Sequence, residues 1–179
     1  VSPPYTSEHA LEKVKTLCRK LVPYCGRMRL AVVPFTDLQL AIRDGCPEEL
    51  FTIIMRRMMM QLAEKIALKC DCHALITGES VAQVASQTLW ALACTDVATQ
   101  LPVLRPVIGM DKEEIVKIAN RIDTFETSIL PYEDCCTVFT PRHPKTKPKL
   151  EAVLAAEARL DAAPLLEAAL AGTEYVSLG

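Results

Sequence analysis

Apolar residues recur along this chain at helical spacing in some stretches and in short continuous runs in others. Ser7 is a helix-capping residue type, and the apolar stripe behind it predicts a helix over residues 8 to about 24. The apolar run 28–33 ends at Pro34 and predicts a strand. A longer helix is predicted after Pro47, and its inward face consists of Phe51, Met55, Met58, Leu62 and Ile66.

The remainder of the chain continues the alternation of strands and helices. The predicted elements are a strand at 73–77, a helix from 81 to about 92 opened by Ser80, a strand at 103–108, a helix from 112 to about 122 capped by Asp111, an extended piece at 128–130, a helix at 147–160 and an Ala-rich helical end. This order predicts an α/β fold with a parallel sheet covered by helices on both faces. Ligands bind beyond the carboxyl ends of such strands, which directs attention to 78–80, 109–112 and the loop around 135–136.

Length and charge exclude several classes of protein. The chain has 179 residues, half of them apolar, and 20 Lys+Arg against 22 Asp+Glu give a net charge of −2. This suits one domain with a sizeable core, and it excludes a uniformly basic nucleic-acid-coating protein, so any nucleic-acid contact must come from a local patch. No apolar run reaches the roughly 18 residues of a membrane span, and no signal-peptide pattern is present, which predicts a cytoplasmic protein without a membrane partner. The chain does not begin with Met, and we expect it to be a fragment.

Eight cysteines raise the question of disulfides or metal. The chain is too long and too apolar to need the disulfide framework of a small secreted protein. With no C-x-x-C pair and only three histidines, no zinc site is predicted. Most of the cysteines fit as small buried apolar residues, but Cys135 and Cys136 lie side by side in a polar, proline-rich loop.

The segment 76–88, ITGESVAQVASQT, is a first candidate for ligand binding. Gly78 lets a ligand approach the backbone, and a helix start offers N–H groups to a phosphate or an adenine edge. Gln83 and Gln87 share a helix face and could reach the same pocket. Pattern alone nevertheless favours an ordinary capped helix with surface glutamines. A hydrolase elbow is excluded because the second glycine of G-x-S-x-G is missing.

Three further features admit both a functional and a structural interpretation. Arg56 and Arg57 lie in an otherwise apolar helix, where one could reach a phosphate or carboxylate, or both could lie on a solvated face. Lys112 opposes the dipole at its helix start, which a nearby phosphate or simple solvent exposure would explain. The loop at 131–149 places the vicinal cysteines next to a basic run. Positive charges stabilise a thiolate, so this loop favours a reactive cysteine with a second cysteine as its resolving partner, although Glu133 and Asp134 oppose thiolate formation. The alternative is a loop whose two cysteines have no chemical role. The residues of that basic run are Arg142, His143, Lys145, Lys147 and Lys149.

Five segments in order resemble the tRNA uridine 4-sulfurtransferase family, also called 4-thiouridine synthase or thiamine-biosynthesis sulfurtransferase. The resemblance covers roughly residues 5–155, and several motifs in register are more specific than any one alone. It implies a fold of the PP-loop, adenine-nucleotide alpha-hydrolase type. The segments are VVPFTDLQLAI, IIMRRMMMQLAEKIA, LITGESVAQVASQTLWAL, PVLRPVIGMDKEEIVKIA and SILPYEDCCTVFTPRHPKTKPKLE.

The resemblance also implies a reaction and a site. In this family ATP, with Mg as its counter-ion, adenylates uridine 8 of tRNA at O4, and a cysteine persulfide then supplies sulfur to C4 as AMP leaves. The family is also implicated in sulfur supply for thiamine thiazole synthesis. Carried over to this sequence, the ATP contacts are Arg56, Gly78 and Gln87, and Lys112 acts on the phosphates. The pattern Cys-x-Val-Phe-Thr selects Cys136 as the sulfur carrier, with Cys135 as a helper.

Some segments of the family pattern do not occur in this sequence, and this determines which domain we expect the chain to form. The Ser-Gly-Gly-x-Asp-Ser phosphate loop and the tRNA-binding modules of the family are expected to precede residue 1, and we expect no rhodanese-like domain. We therefore expect residues 1–155 to form a PP-loop ATP-pyrophosphatase domain without its phosphate loop, and 156–179 to form a helical tail. The fragment alone is expected to be inactive.

Expected partners are tRNA and a cysteine desulfurase as persulfide donor, with homodimerisation left open. Two alternatives remain at this point. One is a catalytically silent RNA- or protein-binding fragment. The other is a PP-loop thiolase for another tRNA base, although such enzymes usually carry C-x-x-C pairs and none occurs here.

Overall fold

The computed structural model describes residues 7–81, 84–132 and 141–179. Short 3-10 turns at Glu48–Leu50 and Ala85–Gln87 separate longer elements. The elements in chain order are α1 Glu8–Cys25, β1 Met28–Val32, α2 Thr36–Gly45, α3 Phe51–Lys69, β2 Leu75–Ile76, α4 Leu89–Asp96, β3 Val103–Leu104, α5 Lys112–Arg121, α6 Phe125–Ser128, α7 Leu150–Glu157, α8 Ala162–Ala171 and β4 Glu174–Leu178.

Helix α3 is the centre of the hydrophobic core. Its residues Ile54 and Met58 are 0% and 1% exposed. The inward face predicted from the sequence is confirmed, because four of its five residues are buried and Ile66 packs against the core. The other helices contribute apolar side chains around α3, namely Leu38 and Ile42 of α2, Ala91 and Cys94 of α4, Val153 and Ala156 of α7, and Leu166, Ala169 and Leu170 of α8.

In the part of the chain that the structure describes, the strands form two separate ladders of two strands each. β1 pairs antiparallel with β4, from Met28 opposite Leu178 to Val32 opposite Glu174. β2 pairs parallel with β3, with Leu75 opposite Val103 and Ile76 opposite Leu104. The α/β class agrees with the sequence prediction, but in the described residues parallel pairing is limited to β2 and β3, and a parallel sheet with helices on both faces is not shown.

The predicted helical tail at 156–179 is corrected at its end. The segment contains the last residues of α7, all of α8 and then the strand β4. The high alanine content predicted helix throughout, but α8 ends before Gly172, and the five residues that follow Thr173 pair with β1. Tyr175 and Val176 are residue types that favour strands, so the long-range pairing agrees with their local propensity.

Three other predicted boundaries are also wrong. The helix predicted from residue 81 begins at Leu89, because the hydroxyl of Thr88 caps it by accepting from the Ala91 N–H at 3.2 Å. The strand predicted at 103–108 spans only Val103–Leu104, since a turn follows at 106–109. The piece predicted as extended at 128–130 instead contains the end of α6.

An apolar cavity of about 740 Å³ lies between β1, α3 and β2. Its lining includes Val33 next to β1, Met59 and Ile66 of α3, and Leu75 and Ile76 of β2. Within the described residues, no helix combines the length and the apolar character that crossing a bilayer requires.

The central position of α3 gives a stability prediction. Ile54→Ala should lower the free energy of unfolding by about 2–5 kcal/mol, because it leaves a cavity at a fully buried position. The matched control is Leu68→Ala on the same helix, whose side chain is 59% exposed and whose loss should change stability by less than about 0.5 kcal/mol. Urea denaturation of both variants measures the difference. Equal effects would contradict the assignment of α3 as the core helix.

Candidate nucleotide site

The turn that follows β2 is held against the residues that follow β3. The Thr77 N–H donates to the Leu104 carbonyl at 3.0 Å, and the Val81 N–H donates to the Ile108 carbonyl at 3.0 Å. A Cβ added at Gly78 would meet nothing within 4 Å, so the space beside this backbone is open. The turn therefore lies at the carboxyl end of a parallel strand with one accessible side, as binding sites in α/β folds do.

Two of the three residues expected to contact ATP make hydrogen bonds around this turn. The Arg56 guanidinium forms an ion pair with Glu79, directly after Gly78, and its Nη1 donates to the Ser86 carbonyl at 2.8 Å. Gln87 Oε1 accepts from the Ser80 N–H at 3.0 Å. The structure thus brings Arg56, Gly78 and Gln87 together from α3, the turn and the segment before α4. Their contact with ATP remains a prediction.

Glu79 connects Arg56 to a second arginine. Its Oε2 accepts from Arg105 Nε at 2.6 Å and from the Thr77 hydroxyl at 2.8 Å. Arg105 also pairs with Asp96 at the end of α4. The side chains of Arg56, Glu79 and Arg105 are largely buried, and that of Asp96 is 46% exposed. We call Arg56, Glu79, Arg105 and Asp96 the charge network; it holds two positive and two negative charges.

Sequence reasoning included Glu79 within the candidate segment 78–80 but gave it no role, and it did not identify Arg105. Each follows an apolar strand run, Glu79 after HALITG and Arg105 after Val103–Leu104. A charge at the end of a buried strand is a signal that could have been used, because buried charges require partners.

A second contact joins the turn to the segment that precedes Lys112. The Ser80 hydroxyl donates to the Met110 carbonyl at 2.8 Å, which joins the turn after β2 to the segment before α5. Lys112 is the first residue of α5 and is exposed. A capping box fixes this helix start, because the Asp111 and Glu114 side chains each accept from the other's backbone N–H at 2.9 Å.

Cys135 and Cys136 lie outside the described residues, but the described segment that follows, from residue 141, is bound to residues before α3 and to Thr88 before α4. The Arg142 N–H donates to Glu48 Oε1 at 3.0 Å, and the Lys145 N–H donates to the Glu49 carbonyl at 3.0 Å. The Thr88 hydroxyl donates to the Thr146 carbonyl at 2.6 Å. Since Thr88 follows Gln87 directly, the middle of the basic run, at Thr146, lies beside the candidate site.

The cysteines in the described part of the chain are free thiols. Burial raises the pKa of the thiols of Cys18, Cys46 and Cys94, which favours the protonated form at neutral pH. Protonated thiols are poor nucleophiles, so these three suit packing rather than sulfur chemistry. Among residues 7–81, 84–132 and 141–179, no group of three or more His, Cys, Asp or Glu side chains is arranged to hold a metal ion.

Comparison with known proteins gives consistent matches along almost the whole chain. The chain is 56% identical over 175 residues to a probable tRNA sulfurtransferase of Acetivibrio thermocellus, which covers 98% of this chain and 45% of that relative. It is 62% identical over 160 residues to a probable tRNA sulfurtransferase of Caldanaerobacter subterraneus subsp. tengcongensis, covering 89% of this chain and 42% of the relative. The chain thus spans less than half the length of these curated relatives.

A solved structure and a family model agree with these matches. The fold superimposes on a 4-thiouridine synthetase solved as an RNA complex with bound ATP, with a TM-score of 0.94 and 40% identity, over 100% of this chain and 47% of that one. The model of the family described as thiamine biosynthesis protein (ThiI) matches residues 1–162. With nine-tenths of its length matched, the chain belongs to the ThiI family.

Proposed function

We propose that this chain forms part of the ATP-binding and sulfur-transfer region of a tRNA uridine 4-sulfurtransferase. The observation that carries the proposal is the convergence of Arg56, Gly78 and Gln87 on one turn at the carboxyl end of β2. The fold it shares with a 4-thiouridine synthetase solved with RNA and ATP supports the same interpretation.

The residues around the turn fit an adenine nucleotide in chemical type. Arg56 provides a delocalised cation whose donors suit phosphate oxygens. The open space beside Gly78 lets a flat or anionic group approach the backbone. Gln87 carries an amide that can read a nucleobase edge, and its Oε1 bond to Ser80 orients that amide. Lys112, at the exposed start of α5, would act on the phosphates of ATP, whose counter-ion would be Mg²⁺.

The proposed reaction replaces the O4 atom of uridine 8 with sulfur. A carbonyl oxygen is a poor leaving group, so O4 first attacks the α-phosphorus of ATP, pyrophosphate leaves, and the oxygen becomes part of an AMP ester. The terminal sulfur of a Cys136 persulfide then attacks C4, and AMP leaves with the oxygen. The Cys135 thiolate would attack the Cys136 sulfur, forming a Cys135–Cys136 disulfide and releasing the thiolated base.

Several parts of the proposal depend on the family rather than on contacts within this chain. They are tRNA as the substrate, a cysteine desulfurase as the source of the persulfide, a role in thiamine thiazole synthesis, homodimerisation and a cytoplasmic location. Because the chain spans less than half of its relatives, we assign the complete reaction to the full-length gene product.

The assignment of the sulfur carrier is tested by two serine variants. In the full-length gene product, Cys136→Ser should abolish 4-thiouridine formation because no persulfide can form there, while ATP binding is kept. Cys135→Ser should have a smaller effect when the assay contains a thiol reductant, because that thiol can attack the Cys136 sulfur in place of Cys135 and release the base. Mass spectrometry of digested tRNA, with a cysteine desulfurase as sulfur source, measures the product. If the Cys136→Ser protein still thiolates tRNA, Cys135 becomes the carrier instead.

The basic run gives a separate prediction about RNA. Lys147 lies 5.0 Å from the centre of the Trp90 ring, which is 52% exposed, and Lys145 pairs with Glu49 at 3.3 Å. Because the whole chain is slightly acidic, we expect weak and strongly salt-dependent tRNA binding that comes mainly from residues 142–149.

Filter binding with the 179-residue chain over a series of salt concentrations tests this expectation. Lys147→Ala should weaken tRNA binding and reduce the slope of log K against log salt by about one, because one phosphate charge is then no longer neutralised. The matched control is Lys69→Ala at the exposed end of α3, which should leave the slope unchanged. Tight binding that does not respond to salt would contradict the electrostatic origin.

A further inference from the structure

Two consecutive arginines of α3 are bound by two different carboxylates. Arg57 has a side chain only 5% exposed, and its Nε donates to Glu157 Oε2 of α7 at 2.5 Å, while its Nη1 donates to the Cys94 carbonyl at 2.5 Å. Arg56 instead pairs with Glu79 in the turn after β2 and is 18% exposed. The first pair joins helices inside the core, whereas the second lies at the candidate nucleotide site.

Both carboxylate oxygens of Glu79 are bound by neighbouring side chains. Oε1 pairs with Arg56, and Oε2 accepts from Arg105 and from the Thr77 hydroxyl at 2.6 and 2.8 Å. Its side chain is only 7% exposed, so water does not compete strongly for these bonds. A carboxylate with both oxygens engaged has a fixed orientation, and it fixes the guanidinium bound to it.

We propose that Glu79 is a positioning residue for the nucleotide, acting through Arg56. This inference rests on the proposed function, and it adds a residue that the family resemblance did not supply. Arg56 is tied on one side to Glu79 and on the other to the Ser86 carbonyl at 2.8 Å, so its guanidinium stays between the turn and the segment that carries Gln87. An arginine held in this way loses less rotamer entropy when it binds an anion than a mobile one does.

The direction in which Glu79→Gln changes the affinity for ATP distinguishes a positioning role of Glu79 from a simple effect of its charge. The charge network has no net charge, and Glu79→Gln would leave it with a net charge of +1. By Coulomb attraction alone, this change should strengthen the binding of the anionic ATP. If Glu79 positions Arg56, the same change should weaken ATP binding, because Arg56 is released and repelled by Arg105.

The experiment measures the Kd for ATP by isothermal titration calorimetry with the full-length gene product. We expect Glu79→Gln to raise the Kd about tenfold, the size expected when one hydrogen bond to a charged group is removed. The matched control is Glu157→Gln, which removes the partner of the neighbouring Arg57. That variant should lower the melting temperature and leave the Kd for ATP within about twofold of the original.

A second variant covers the case in which Glu79→Gln does not fold. Glu79→Asp keeps the charge, but its shorter side chain cannot reach Arg56 and Arg105 at once, so the Kd for ATP should rise severalfold in a folded protein. In an Arg56→Ala background, where the positioned group is gone, Glu79→Asp should have no further effect on the Kd.

The outcomes distinguish failure of this inference from failure of the nucleotide site. If Arg56→Ala itself leaves the Kd for ATP unchanged, the proposed nucleotide site is wrong. If Arg56→Ala weakens binding while both Glu79 variants leave the Kd unchanged, or while Glu79→Gln tightens binding, the site stands and the positioning role is overturned.

Discussion

The burial of two adjacent arginines in α3 is the constraint that organises this structure. A buried guanidinium without a partner would cost several kcal/mol, so each arginine requires a carboxylate in a defined place. Arg57 obtains Glu157 from α7 and Arg56 obtains Glu79 from the turn after β2. Because consecutive helix residues point about 100° apart, one helix directs one charge into the core and the other toward the site.

This arrangement links the stability of the core to the geometry of the candidate site. Arg57 also donates to the carbonyl of Cys94, so α4 is held against the same helix that carries Arg56. The segment just before α4 contains Ser86 and Gln87, which contact Arg56 and the turn. Both sides of the site are therefore carried by elements that pack against the same helix, and the bond from Arg57 to the Cys94 carbonyl holds α4 there independently of Glu157.

The sequence was informative where local rules decide the structure. Helical spacing identified the buried face of α3, and the caps at Ser7 and Asp111 were correct because they depend on residues three positions apart. Pattern analysis could not identify the ion pair of Glu79 with Arg105, which are 26 residues apart, nor the pairing of β1 with β4. Both arise from tertiary contacts, which no local periodicity encodes. The convergence of Arg56 and Gln87 came from the family resemblance rather than from residue spacing.

The pairing of β1 with β4 has a consequence for the order in which the chain can assemble. The partners Val32 and Glu174 are 142 positions apart, and Met28 and Leu178 are 150 positions apart. A ladder of this kind closes a very long loop, and its hydrogen bonds cannot form until the last of these residues has left the ribosome. During synthesis β1 therefore has no strand partner while the helices around α3 form their local contacts, and the pairing of β1 with β4 is a late event in the folding of this part of the protein.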